Sequence, residues 1–121
     1  MSSFLRPGDL VVTETGTSQL GFSVTRLPTG AHLWTQAVYG SIGYAAGAAA
    51  GAAVAAKEMG TFKRMVLVTG EGSLQLTVQS FSILARHGIV PVWMVQHTQP
   101  LDRVMTCTGS APNSWCRYRH H

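Results

Sequence analysis

Met65-Val66-Leu67-Val68-Thr69-Gly70-Glu71-Gly72-Ser73-Leu74-Gln75-Leu76-Thr77-Val78-Gln79 decides how this chain is read. The apolar, β-branched run Met65–Thr69 reads as a strand buried on both faces. Two glycines around one acid permit a tight turn and close approach of backbone to a ligand. Ser73 stands where a helix N-cap belongs, with an amphipathic segment behind it. A strand that hands a carboxylate and free N–H groups to a helix N-terminus suits a metal-bridged phosphate. Such a turn lies at the carboxyl end of its strand, where open α/β sheets bind ligands. A plain strand-to-helix turn is the alternative, because Gly-acid-Gly is common in turns.

Outward from this stretch the chain alternates strands and helices. Leu10–Thr13 predicts a strand ending at Glu14-Thr15-Gly16-Thr17, followed by a short helical or irregular piece over Ser18–Phe22. His32–Ala37 predicts a second, weaker strand. Gly40 and Ser41 open a long Ala/Gly helix that Gly60 stops. Ser73–His87 predicts one helix, with Leu76, Val78, Phe81, Ile83 and Leu84 available to the core. Val90–Val95 predicts a fourth strand and, with no partner expected beyond it, an exposed apolar edge. This alternation predicts an α/β fold with a parallel sheet. Gln96–His121 shows neither strand alternation nor a helical stripe, so residues 96–121 are expected to be an irregular tail to a domain spanning 1–95.

Composition bounds the function classes. A chain of 121 residues with 45% hydrophobic content can bury a modest core. Of the net charge of +4, half lies in residues 96–121, and no basic face is interleaved with aromatic residues, so no nucleic-acid binding is expected. The N-terminus lacks a secretory signal pattern, and the uncharged stretch Ser41–Ala56, at sixteen residues, is too short for a membrane span. Cytoplasmic placement is the expectation. Gly43, Gly47 and Gly51 recur every fourth residue, which predicts a helix packed closely on a sheet. Cys107 and Cys116 lack zinc-ligand spacing.

Three motifs occur together: Glu14-Thr15-Gly16-Thr17-Ser18, Tyr39-Gly40-Ser41-Ile42-Gly43 and Gly70-Glu71-Gly72-Ser73-Leu74-Gln75-Leu76-Thr77-Val78-Gln79. In order and spacing they resemble the C-terminal cofactor-binding domain of thiamine-diphosphate-dependent 2-oxo acid decarboxylases, most closely the fungal pyruvate decarboxylases. The resemblance covers residue 4 to about residue 95. It implies a parallel-sheet thiamine-diphosphate-binding (pyrophosphate) domain, here incomplete.

The resemblance also implies site residues. Thr15 and Thr17 match the first cofactor loop, with ordinary turn threonines as the alternative. Gly40 matches the residue whose carbonyl receives the aminopyrimidine, and Ser41 lies beside it. Ile42 matches the bulky residue that wedges the cofactor into a bent form; from the residues alone it is a core aliphatic. Gly70, Gly72 and Ser73 match the diphosphate contacts. Glu71 matches the acid that binds magnesium, with an exposed turn acid as the alternative. The family more often has Asp there, and the extra methylene moves the carboxylate by about 1.5 Å. His32 and His87 are expected to be structural or exposed.

The second half of the family's metal site departs. Its Asn-Asn pair falls on His97 and Thr98, its carbonyl ligand on Pro100, and a Glu used near the reacting carbon on Val104. Magnesium prefers hard oxygen ligands, which His97 does not offer. Binding of thiamine diphosphate and Mg2+ is therefore expected to be weak or lost.

The family decarboxylates 2-oxo acids, such as pyruvate to acetaldehyde and carbon dioxide, and needs an acid from an N-terminal domain of a neighbouring subunit. No residue of this chain corresponds to that domain. The chain alone is accordingly expected to be inactive, with no catalytic residue of its own. The alternative is a non-catalytic module that pairs with full-length decarboxylase subunits, which are homo-oligomers in the family. A third reading is an unrelated nucleotide-binding α/β domain using the same turn for phosphate.

Overall fold

A computed structural model describes residues 4–96, together with the backbone of two later strands. The elements in order are β1 (Asp9–Thr13), α1 (Thr17–Ser23), β2 (His32–Thr35), α2 (Tyr44–Met59), β3 (Arg64–Gly70), α3 (Glu71–Leu76), α4 (Ser80–Arg86), β4 (Val92–Gln96), β5 (Arg103–Cys107) and β6 (Arg117–His120). They form one six-stranded sheet of order β2-β1-β3-β4-β5-β6. The first four strands are mutually parallel, as the alternating pattern requires, and β5 and β6 run antiparallel.

Every residue of β1 is buried, because helices cover both faces of the sheet there. On one face, Leu10, Val12, Met65 and Leu67 pack against α2 and Leu84 of α4. On the other, Val11, Val66 and Val68 pack against Phe22 of α1 and Leu5. The period-two alternation of a strand thus feeds two separate cores. The start of the sheet is pinned by an ion pair: Arg64 Nε and Nη2 both donate to the Asp9 carboxylate, and Arg64 Nη2 also donates to the Phe4 carbonyl. Burial opposes the Asp9 charge. The Arg64 hydrogen bond, the Arg6 N–H and the nearby guanidinium charges outweigh it and hold the carboxyl below its ordinary value.

Four expectations are corrected. The glycine stripe does not meet the sheet: Gly47 and Gly51 are exposed, with open space where a Cβ would stand. Ala45, Ala46, Ala49, Ala50, Ala52 and Ala53 are the buried face instead, so methyl groups set the close approach. The predicted helix Ser73–His87 is two helices, α3 and α4, with a break at Thr77–Gln79. The break falls at a β-branched pair of low helix propensity, where i→i+3 turn bonds replace the helical ladder, and Thr77 Oγ1 donates to the Gly43 carbonyl at 2.9 Å. The break turns Leu76, Val78 and Ile83 outward, leaving Leu84 buried and Phe81 part-buried, edge-on to Trp93. Finally, β4 is not an edge. β5 pairs with β4 and β6 with β5. Val104 and Thr106 suit a strand, but Val104 and Met105 are adjacent apolar residues, so the segment lacks the alternation that marks a strand in sequence.

Candidate functional site

The chain leaves β1 through α1 to β2 on one side, and α2 brings it back to β3 on the other side of β1. The connections therefore diverge between β1 and β3. In open α/β sheets the crevice outside the carboxyl ends of two such strands is the ligand site. Here those ends are aligned, with Thr13 opposite Val68 and the Glu14 N–H bonded to the Val68 carbonyl at 2.8 Å. The Glu14–Ser18 segment follows β1, and the Gly-acid-Gly turn follows β3.

Most of the sequence-predicted residues come together here. Thr15 is part-buried behind β1, and its Oγ1 is a buried hydroxyl with no hydrogen-bond partner among the described residues. Gly40 faces it: a Cβ at Gly40 would lie 3.7 Å from Thr15 Cγ2 and 3.8 Å from Thr15 Oγ1. Two motifs distant in sequence are thus in contact range. Gly40 has φ +58°, a left-handed conformation that glycine adopts without strain. The Ser41 N–H donates to Gln36 Oε1 at 2.7 Å, which orders the loop after β2. Ile42 is 62% exposed, which overturns its reading as a core aliphatic.

The Gly-acid-Gly turn differs from expectation in one detail. Gly70, not Ser73, is the N-cap of α3, because the strand runs to Gly70 and the helix starts directly at Glu71. Glu71, Gly72 and Ser73 make up the first turn, where helical geometry leaves N–H groups without intrahelical acceptors and favours an acid. Gly70 stands opposite Gln96 of β4, and a Cβ there would lie 3.9 Å from Ser73 Oγ and 4.0 Å from the Gln96 carbonyl. The metal partners implied by the resemblance, His97, Thr98 and Pro100, lie outside the described residues, and Val104 is described only as backbone in β5. Among the described residues no group of three or more His, Cys, Asp or Glu side chains could hold a metal ion. His32 and His87 are exposed and away from the crevice, His32 edge-on to Phe62.

Three residues at the crevice were not singled out from the sequence. Glu14 is 1% exposed and accepts three backbone N–H groups, from Thr15 to Oε1 (3.1 Å) and from Gly43 (3.2 Å) and Ala45 (3.3 Å) to Oε2. An acid closing an apolar strand was the available signal. Gln96 Oε1 lies 3.2 Å from Thr17 Oγ1 and 3.4 Å from Ser18 Oγ, accepting from both, so it ties the start of α1 to the end of β4. Thr77 ties the end of α3 to Gly43. No local pattern marks the last two.

The described residues fit a diphosphate cofactor in two respects. Thr15 Oγ1 is an orphaned buried hydroxyl beside the crevice, and the Gly70–Ser73 turn supplies an acid and first-turn N–H groups. The fold and this crevice define a doubly wound α/β domain of the kind that binds phosphate-bearing cofactors at its switch point.

The comparisons with known proteins narrow the class. A family model described as "Thiamine pyrophosphate enzyme, C-terminal TPP binding domain" matches residues 14–110, and the chain belongs to this family. The match runs past Val95, near which the resemblance of the motifs ends. The pyruvate decarboxylase of Hanseniaspora uvarum is 52% identical over 91 residues, covering 75% of this chain and 16% of that protein. That of Candida glabrata is 48% identical over 95 residues, 78% of this chain and 17% of the other. Pyruvate decarboxylase isozyme 2 of Saccharomyces cerevisiae is 47% identical over 91 residues, 75% of this chain and 16% of the isozyme. The chain therefore spans about one sixth of the length of these curated relatives. Among the described residues no helix is long and apolar enough to cross a membrane.

Proposed function

We propose that the crevice at the carboxyl ends of β1 and β3 binds thiamine diphosphate with a magnesium ion, and that this domain belongs to a cytoplasmic pyruvate decarboxylase-like enzyme. The observation that carries the reading is convergence. Thr15 and Thr17, Gly40 to Ile42, and Gly70 to Ser73 are far apart in sequence, yet all follow the carboxyl ends of adjacent parallel strands.

Each residue has a role in this reading. Gly70, Gly72 and Ser73 bind the diphosphate through backbone N–H groups and the Ser73 hydroxyl. Glu71 supplies one hard anionic oxygen to magnesium. Thr15 and Thr17 line the opposite wall, Gly40 offers its carbonyl to the aminopyrimidine with Ser41 beside it, and the exposed Ile42 side chain supports the bend of the cofactor. When bound, the cofactor supplies an electron sink for loss of carbon dioxide from a 2-oxo acid. The described acids at the crevice are Glu14, which is engaged by three N–H groups, and Glu71, which is assigned to the metal. Neither is available to move a proton at the substrate, so the 121 residues alone are proposed to be inactive.

Calorimetric titration of thiamine diphosphate, with and without magnesium, tests the reading. The expected result is magnesium-dependent binding near 1 mM, about −4 kcal/mol. Absence of saturable binding with magnesium present contradicts it. A second reading, a module pairing with decarboxylase subunits, is favoured by the apolar side chains Val38, Tyr39, Ile42 and Leu76, all more than half exposed. Co-sedimentation with a fungal pyruvate decarboxylase distinguishes it from free domain.

A further inference from the structure

Glu14 is a fully buried carboxylate, and among the described residues no cationic side chain pairs with it. A buried charge is costly unless its oxygens are satisfied. Here backbone N–H groups satisfy them, and they come from two places. Thr15 belongs to the loop after β1. Gly43 and Ala45 belong to the segment that ends the loop after β2 and opens α2. Gly43 is the N-cap of this sixteen-residue helix, with no side-chain cap of its own in the sequence. Glu14 acts as that cap from another element. Each of its two oxygens is used, so the loop bearing Gly40, Ser41 and Ile42 is fastened to the loop bearing Thr15 and Thr17.

We infer that Glu14 is a positioning residue that sets the distance between the two walls of the aminopyrimidine end of the crevice. The inference rests on the thiamine diphosphate reading above. The diphosphate end, built on Gly70–Ser73, receives none of the three Glu14 hydrogen bonds. Glu14 thus acts directly on one half of the site and reaches the other only through Gly43 and Thr77, at the far end of α3 from the Gly70–Ser73 turn. Glu14→Gln separates these effects. The amide is nearly isosteric, but one of its ends is a donor. Thr15 donates to one oxygen and Gly43 and Ala45 to the other, so either orientation of the amide sets an NH2 against an N–H group.

The test uses the full 121-residue chain and the Glu14→Gln variant. Amide hydrogen exchange is followed at Gly43, Ala45, Val11 and Leu67, and binding is measured for thiamine diphosphate and for inorganic pyrophosphate, each with magnesium. The expected result is faster exchange at Gly43 and Ala45 with Val11 and Leu67 unchanged. Thiamine diphosphate affinity should fall about tenfold while pyrophosphate affinity stays within about twofold. Unchanged exchange at Gly43 and Ala45 overturns the inference, as does an equal loss of both ligands or no loss of either. If the unsubstituted chain binds pyrophosphate but not thiamine diphosphate, the cofactor reading fails and the positioning role fails with it. Altered exchange would then mark Glu14 only as a helix cap.

Discussion

Gly43 offers a perturbation whose sign discriminates. It holds φ +90° at the N-cap of α2, where its N–H donates to Glu14 and its carbonyl accepts from Thr77. Gly43→Ala keeps both hydrogen-bonding groups, so any loss comes from conformation and space. An L-residue in the left-handed region costs about 1–2 kcal/mol. The added Cβ would lie 3.2 Å from Leu76 Cβ and 3.3 Å from Thr77 Cγ2, so the end of α3 must give way. Crowding of this kind costs about 1–3 kcal/mol. Lower entropy of the unfolded alanine chain returns about 0.4–1 kcal/mol. The net expectation is a loss of roughly 2 kcal/mol, or about 5–10 °C in Tm for a domain of this size. Gly47→Ala is the control, being exposed inside the same helix with no atom within 4 Å of the new Cβ. It should stabilise by about 0.5–1 kcal/mol through helix propensity. Thermal and urea unfolding of both variants, followed by circular dichroism, is the assay. If Gly43→Ala matches or exceeds Gly47→Ala in stability, the left-handed cap and its contact with α3 are refuted.

Further outcomes follow from the site and the sheet. Glu71→Gln should reduce thiamine diphosphate affinity in magnesium to the magnesium-free value; a persistent magnesium effect in calorimetry would mean other ligands hold the ion. Because Asp9 has a lowered folded pKa, its stabilising contribution is complete above its ordinary value of 3.8 and is lost as pH falls through the lower folded value. Urea midpoints from pH 6 to 2.5 should therefore decline more steeply for the parent chain than for Asp9→Asn, and parallel profiles would contradict this. The purified 121-residue chain with thiamine diphosphate and magnesium should release no carbon dioxide from pyruvate, and turnover above a Glu71→Ala control would contradict that.

The parallel α/β core was legible because its signals are local. Met65–Thr69 is an uninterrupted apolar run, Ala45–Ala56 is rich in the strongest helix former, and glycines punctuate both. The motif glycines and threonines were legible through resemblance, and in the structure they follow the carboxyl ends of β1, β2 and β3. What was not legible depends on contacts between distant segments. Where Thr77 bonds Gly43, a helix that periodicity continues is broken, and Leu76 and Val78 are exposed there. The alternation of small residues in α2 does not say whether alanine or glycine faces the sheet. Pairing of β5 with β4 is satisfied through backbone groups, which carry no side-chain signature. Glu14 and Gln96 act across 29 to 79 positions of sequence, beyond the reach of any local pattern.

The most direct test of the central claim is to map thiamine diphosphate onto the 15N-labelled chain by amide chemical shifts in the presence of magnesium. The cofactor reading predicts that shifts concentrate at Thr15–Thr17, Gly40–Gly43 and Gly70–Ser73, at the carboxyl ends of β1 and β3. The sheet also has an open cleft at its opposite end, lined by Ala56, Lys57, Phe62, Lys63 and Ile89. Shifts concentrated around that cleft, or no saturable shifts at all, would contradict the account.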